Sequence, residues 1–237
     1  MITALTEIPV FSGIPEKELR NILPFLKERN FKKNHILMFE NDESEDVYLI
    51  RSGILKVFRL HEEKEIVLSL ASAGEILGEV EALSFSNQRI SSIEIIENVS
   101  AWQISRTDFL QLSKKYPIIF KNAYAILVER MRILNRLIRY LSFYNVRTKV
   151  ANLLMDLYYN FGAKTANYKI DLKITQSFLA TMLGITRESI SKTLNEFQLE
   201  KIIDIREKNI YILDMKKLEA ACNQAEENQV LRKWSNF

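Results

Sequence analysis

Cysteine and histidine are nearly missing from this chain. Of its 237 residues one is a cysteine, Cys222, and two are histidines, His35 and His61. A single thiol excludes a disulfide framework within the chain and an iron–sulfur cluster, which needs several thiolates. Two histidines do not make a His-rich metal site, so no metal centre is expected, although a haem needs only one or two axial ligands and stays open. Long apolar runs are missing too. No stretch approaches the length that crosses a bilayer, and the opening MITALTEIPVFSG lacks the charged-then-apolar order of a signal peptide. The expectation is a cytoplasmic protein without a membrane partner. Strong net charge is also lacking, at +3. The small excess lies late in the chain: 19 basic residues face 19 acidic ones up to Asn145, and 14 face 11 from Val146 onward. Patches rather than totals set the field at a binding face, so this is weak support for a nucleic-acid partner.

What is present is a globular composition, 47% hydrophobic, and enough length for two small domains. The first thirty residues look helical. Pro15 opens a helix at Glu16-Lys17-Glu18, with Leu19, Ile22, Leu23 and Phe25 as its apolar face and Pro24 ending or kinking it. From Phe31 to Ser105 the texture changes to short apolar runs separated by turns at Glu40-Asn41-Asp42, Ser52-Gly53 and Ala73-Gly74. Strands are expected over 36–39, 47–50, 54–58, 66–70, 92–96 and 100–104, a pattern that suggests an all-β jelly roll. Ser105 caps a short helix, with Asp108 three residues on.

Pro117 opens a long helix. Phe120, Tyr124, Leu127, Met131, Leu134, Ile138 and Leu141 recur at heptad spacing, flanked by Arg130, Arg132, Arg136 and Arg139. This predicts a seam between two copies of the chain, the plainer possibility being a helix packed on its own barrel. Val146 begins a further domain with a helical face at Val150, Ala151, Leu153, Leu154, Leu157 and Tyr158. A loop at 160–164 and a strand at 168–172 follow.

The segment from Thr175 to Phe197 is the most informative stretch. It reads as a helix over Gln176–Leu183, a turn at Gly184-Ile185-Thr186, and a second helix from Arg187. Ala180 is small enough for a close crossing, Gly184 can take left-handed backbone, and Ile190 plugs the joint. Thr175 and Thr186 sit at the two N-caps. Arg187, Glu188, Ser191 and Lys192 then face outward at a helix start, as base readout in the major groove requires. Such helix pairs also occur as ordinary core hairpins. Two β-branched runs between Leu199 and Leu213, joined by a polar turn, raise the odds of DNA binding. They read as a wing whose Arg206 and Lys208 can reach phosphate. Asp214 caps a last helix, and the tail to Phe237, with Trp234, is at best amphipathic.

Between the strands, Gly74-Glu75-Ile76-Leu77-Gly78-Glu79-Val80 and then Arg89-Ile90-Ser91 outline a weak candidate for an anion site. Two glycines admit backbone donors, a helix start lies near Glu79, and Arg89 offers a bidentate fork. The whole order, GEILGE with a following arginine, a long seam helix, and a winged helix-turn-helix containing LGITRESISK, resembles bacterial transcription regulators of the Crp–Fnr superfamily. The resemblance spans nearly the full chain and implies an α+β protein. It would comprise a cyclic-nucleotide-binding-type jelly roll (1–115), a dimerisation helix (116–145) and a winged helix-turn-helix (146–237). It also implies base contacts from Arg187, Glu188 and Lys192 with Ser191 nearby, an effector pocket including Gly78, Glu79, Val80, Arg89, Ile90, Arg130, Leu134 and Asn135, and RNA polymerase as a partner.

Departures from the family pattern carry meaning. Ile90 replaces a serine, Glu81 adds negative charge beside the site for an anion, and Leu134-Asn135 stand where hydroxyls would meet adenine. Each lost buried hydrogen bond costs about 1–3 kcal/mol, so cyclic AMP is not the expected effector. Lys192 stands where arginine is usual, which implies a single-point base contact. The N-terminal cysteines of the oxygen-sensing branch are absent. The expected protein is therefore a homodimeric regulator on a near-palindromic DNA site, controlled by an unidentified small molecule. Two rivals are a cupin-like metal enzyme, which would need clustered His and Glu that His35 and His61 do not supply, and a nucleotide-binding interaction module without DNA activity.

Overall fold

The computed structural model describes residues 5–43, 45–85, 88–163, 168–222 and 232–234. They fall into two compact units, Met1–Met131 and Arg132–Asn236.

In the first unit six strands form one antiparallel sheet: β1 (Lys27–Phe31), β2 (Ile36–Met38), β3 (Asp46–His61), β4 (Lys64–Ala71), β5 (Ile76–Leu77) and β6 (Ser92–Ser105). The order is β1-β6-β3-β4, with β2 also on β6 and β5 also on β3. The sheet contributes to two apolar clusters. On β6, Ile93, Ile95, Val99 and Ala101 join one apolar cluster, while Trp102 and Ile104 point to the other, which also takes up Leu5, Phe11 and Leu19. Among the described residues the expected helical opening is broken into short pieces: two helical residues at 5–6, α1 (Glu16–Leu19) and two 3-10 turns, Pro9–Phe11 and Leu23–Phe25. Lys27–Phe31 pairs as a strand instead, and its mostly exposed side chains explain why no alternation announced it.

Two further expectations are corrected by β3 and β6, each a single long strand rather than two. The predicted turn at Ser52-Gly53 is a run of register shifts between Ile50 and Leu55 against β6. The shifts matter for packing: Ile50 and Leu55, an odd number of residues apart, reach the same cluster, which unbroken pleating forbids. Gly53 takes φ +95° with the Asn98 carbonyl against it, so a side chain has neither the backbone nor the space there.

A short helix α2 (Glu79–Leu83) follows β5, and α3 (Arg106–Lys115) follows β6. Ser105 caps α3 as expected, accepting the Asp108 amide at 3.1 Å. The long helix α4 (Pro117–Phe143) begins in the first unit and ends in the second. Its Ile119, Ala123 and Ile126 join the apolar cluster that holds Trp102, and its Ile133 and Tyr140 are buried further along. The heptad stripe occupies other positions: Phe120, Tyr124, Met131 and Ile138 are more than half exposed, Leu134 is exposed, and Leu127 and Leu141 are half-buried. The helix is therefore apolar on two sides and covered on one.

The second unit contains α5 (Val146–Phe161), β7 (Lys169–Ile170), α6 (Gln176–Leu183), α7 (Arg187–Leu199), β8 (Ile203–Arg206), β9 (Asn209–Ile212) and α8 (Met215–Ala221), with strand order β7-β9-β8. Asn145 caps α5 and Asp214 caps α8. The expected strand at 168–172 is the two-residue β7. Of the expected loop at 160–164, residues 160 and 161 still belong to α5, and 164 lies outside the described residues. So does most of the C-terminal tail. Its described portion is packed, with Arg232 only 4% exposed and Trp234 edge-on to Phe161 at 5.6 Å. Asp156 of α5 takes Arg232 at 3.0 Å and Arg136 of α4 at 3.2 Å. Arg136 therefore pairs inside its own chain rather than flanking the stripe.

Candidate nucleic-acid interface and effector site

The helix pair is positioned by local chemistry. Thr175 accepts the Phe178 amide at 3.1 Å and Thr186 accepts the Ser189 amide at 3.2 Å, so each threonine supplies an acceptor for a helix-start donor that lacks one within the helix. Gly184 ends α6 at φ +59°, and a Cβ there would meet nothing within 4 Å. Glycine is needed for that backbone alone. Ala180 and Ile190 are buried in the joint, as the spacing predicts.

Arg187, Glu188 and Lys192 are exposed on α7, and Ser191 is half-buried beside them. Together with Gln176, Asn195, Glu196 and Leu199 they line one open concavity. Gln176 and Asn195 escaped the sequence reading, although Asn195 is one turn beyond Ser191 and was findable by helical spacing. Arg147 lies 3.7 Å from Glu196 and 2.6 Å from Glu200, offsetting both carboxylates. With Glu196 and Glu200 offset, Arg187 and Lys192 stand against Glu188 alone in that concavity.

The wing is a tight hairpin whose Glu207 and Lys208 both have positive φ. That is the mirror-image turn whose twist suits flanking strands. Lys208 is exposed at the tip. Arg206 pairs with Asp204 at 2.5 Å and lies over the Tyr211 ring, so its charge is partly offset.

In the first unit the structure brings Gly78, Glu79, Val80, Arg89, Ile90 and Arg130 into one corner. Arg130 donates to Glu79 and to the Ile76 carbonyl, tying α4 to the start of α2. Glu79 is fully buried and its Oε2 has no hydrogen-bond partner among the described residues. Burial raises the Glu79 carboxyl, against the pull of Arg130, and raises that of Glu75 to about 7 for the same reasons. Leu134 and Asn135 lie on the second-unit portion of α4, both exposed.

Arg89 departs from expectation. It is no open fork: it is 1% exposed, and its guanidinium donates to the Asp46 carbonyl at 2.6 Å and to Glu81 at 3.3 Å. A buried cation without partners would cost several kcal/mol, on the order of 3–5, and the fold supplies those partners from within. Nor does α2 present a bare positive end, since its first turn buries Glu79 and Glu81. Among the described residues no three His, Cys, Asp or Glu side chains converge as metal ligands, and no helix is long and apolar enough to cross a membrane.

A capped helix pair with an outward polar start, followed by the β8–β9 hairpin of a three-stranded sheet, defines a winged helix-turn-helix of the DNA-binding class, here in one chain with an antiparallel β-domain. The comparisons name the family. Residues 28–116 match the cyclic nucleotide-binding domain, and residues 148–221 match the Crp-like helix-turn-helix domain. The chain belongs to the Crp–Fnr family of transcription regulators, not to an enzyme family. It is similar to the cyclic AMP receptor protein of Thermus thermophilus, at 26% identity over 82% of this chain and 88% of that one. A probable transcriptional regulator, flp, of Lacticaseibacillus casei is 27% identical over 90% and 94%. Among solved structures, a CooA variant from Carboxydothermus hydrogenoformans superposes with a TM-score of 0.72 at 25% identity, covering 84% of this chain and 89% of that one. The c-di-GMP-responsive regulator CLP of Xanthomonas campestris shares the fold, with a TM-score of 0.76 at 20% identity, covering 85% and 100%.

Proposed function

We propose that the chain works as a homodimer that sets its two copies of α7 into successive major grooves of a near-palindromic site, about 34 Å apart. The observation that carries this reading is the outward face of α7: Arg187, Glu188, Ser191 and Lys192 project from a helix whose start is capped and whose underside is buried. Arg187 and Glu188 read base edges, Lys192 makes a single-point contact, and Lys208 and Arg206 meet phosphate. The exposed stripe of α4 supports the dimer, because the opposite side of that helix already serves its own chain. A bacterial regulator of this build works with RNA polymerase in the cytoplasm.

The barrel senses a small molecule other than cyclic AMP. Three features support this: Ile90 offers no hydroxyl, Arg89 is already engaged, and Glu81 places a carboxylate beside it. The effector acts by reweighting arrangements of the DNA-binding domains, which requires different affinity for each. The Arg130–Glu79 pair is the candidate relay, since it ties the seam helix to the sensing corner.

The test is selection of bound DNA from a random pool, repeated with Arg187→Ala. Weakened preference at the base pair that Arg187 contacts, in a variant that melts normally, is the expected result; fully retained preference counts against the assignment. For the seam, Tyr124→Glu should give monomers by sedimentation, and an unchanged dimer would move the interface elsewhere.

A further inference from the structure

The sensing corner carries an anion of its own. Arg89 Nη1 donates to Glu81 Oε2 at 3.3 Å, and the other oxygen, Oε1, accepts the backbone N–H of Ile90 at 3.1 Å. A guanidinium nitrogen and the next residue's amide thus converge on one carboxylate. This is the donor set by which a phosphate with two oxygens to offer is held. The remaining space is closed. Arg89 Nη2 is taken by the Asp46 carbonyl at 2.6 Å, and a Cβ on Gly78 would come within 2.7 Å of Arg89 Nη1 and 2.6 Å of that carbonyl. Gly78 is therefore shaped around the guanidinium as it now stands. Glu81 is 7% exposed and Glu79 fully buried, so an incoming anion would meet two carboxylates where water cannot screen them.

We propose that Glu81 determines effector specificity: its carboxylate occupies the anion seat on Arg89 and the Ile90 amide, closing the barrel to phosphate-bearing ligands and restricting it to effectors without a phosphate group. This rests on the reading of the barrel as the sensing domain. A phosphoester binds only by displacing Glu81, whose carboxylate would then be left buried beside Glu79 and the incoming anion.

The test compares the full-length wild-type protein with Glu81→Ala and Glu81→Gln by calorimetric titration with cyclic AMP and, separately, inorganic phosphate. Removing the competing charge should raise affinity for cyclic AMP by about tenfold or more in Glu81→Ala, each tenfold being one step of 1.4 kcal/mol. Glu81→Gln keeps the volume and the Ile90 bond while losing the charge, so a smaller gain is expected there; it also carries the test if the alanine variant does not fold. Wild-type protein binding cyclic AMP as tightly as the folded variants overturns the proposal, and so does a folded pair of variants with no gain. Selective DNA binding by the wild type is measured in parallel. Its loss would sink the regulator reading and leave the result at the anion seat standing.

Discussion

Arg187 stands exposed at the first position of α7, while Arg89 is 1% exposed inside the β-domain, and each has glutamates close by in sequence. On α7 the charged groups, Glu188 among them, project into solvent, and Glu196 is held by Arg147. In the barrel corner, arginine and glutamate answer one another: Arg89 with Glu81, Arg130 with Glu79. Burial makes the difference. A charge in water can wait for a partner from another molecule, whereas a buried one must find its partner within the chain.

The sharpest way to break this comparison is Arg89→Ala. Removing one member of a buried pair costs about 3–5 kcal/mol, so urea unfolding should show a large loss of stability. A loss under 1 kcal/mol, the scale of an exposed pair, would mean that Arg89 is not held as described. Arg187→Ala should leave the unfolding midpoint in place. Its cost falls on DNA discrimination, about 1–3 kcal/mol at the contacted base pair, read by competition between selected and scrambled duplexes. Smaller still, Gly184→Ala should cost about 1 kcal/mol through left-handed backbone alone, because its Cβ meets no obstacle.

Glu75→Gln acts along another axis, and its effect is visible only against pH. The folded chain raises the Glu75 carboxyl from 4.5 to about 7 through burial. Between those values the fold holds a proton that the unfolded chain releases, so this contribution is full below the lower value and is lost as pH rises through about 7. Glu75→Gln should flatten that slope, as measured by melting at a series of pH values. An unaltered slope would place the titration elsewhere.

Much of the reading surface was legible in the residues themselves. Thr175, Thr186, Ser105 and Asp214 announce helix starts because a cap reaches only three residues ahead. The α4 stripe was legible as a period, since a helix repeats its faces at fixed spacing. Less could be read from the barrel. Lys27–Phe31 has no apolar alternation, and the shifts that carry β3 through Ser52-Gly53 are set by its partner β6. The tail reads as at best amphipathic, yet in its described part Arg232 is buried against Asp156 and Asn152, which are distant in sequence.

The sequence by itself determined where helices start, that the turn between α6 and α7 requires glycine at Gly184, and which face of α7 stays polar, because those depend on neighbours within one or two turns. Only the tertiary structure decided that Arg89 turns inward. Its partners, Asp46 and Glu81, lie 43 and 8 residues away, and a side chain's burial depends on what the fold brings to it rather than on what stands beside it in the chain.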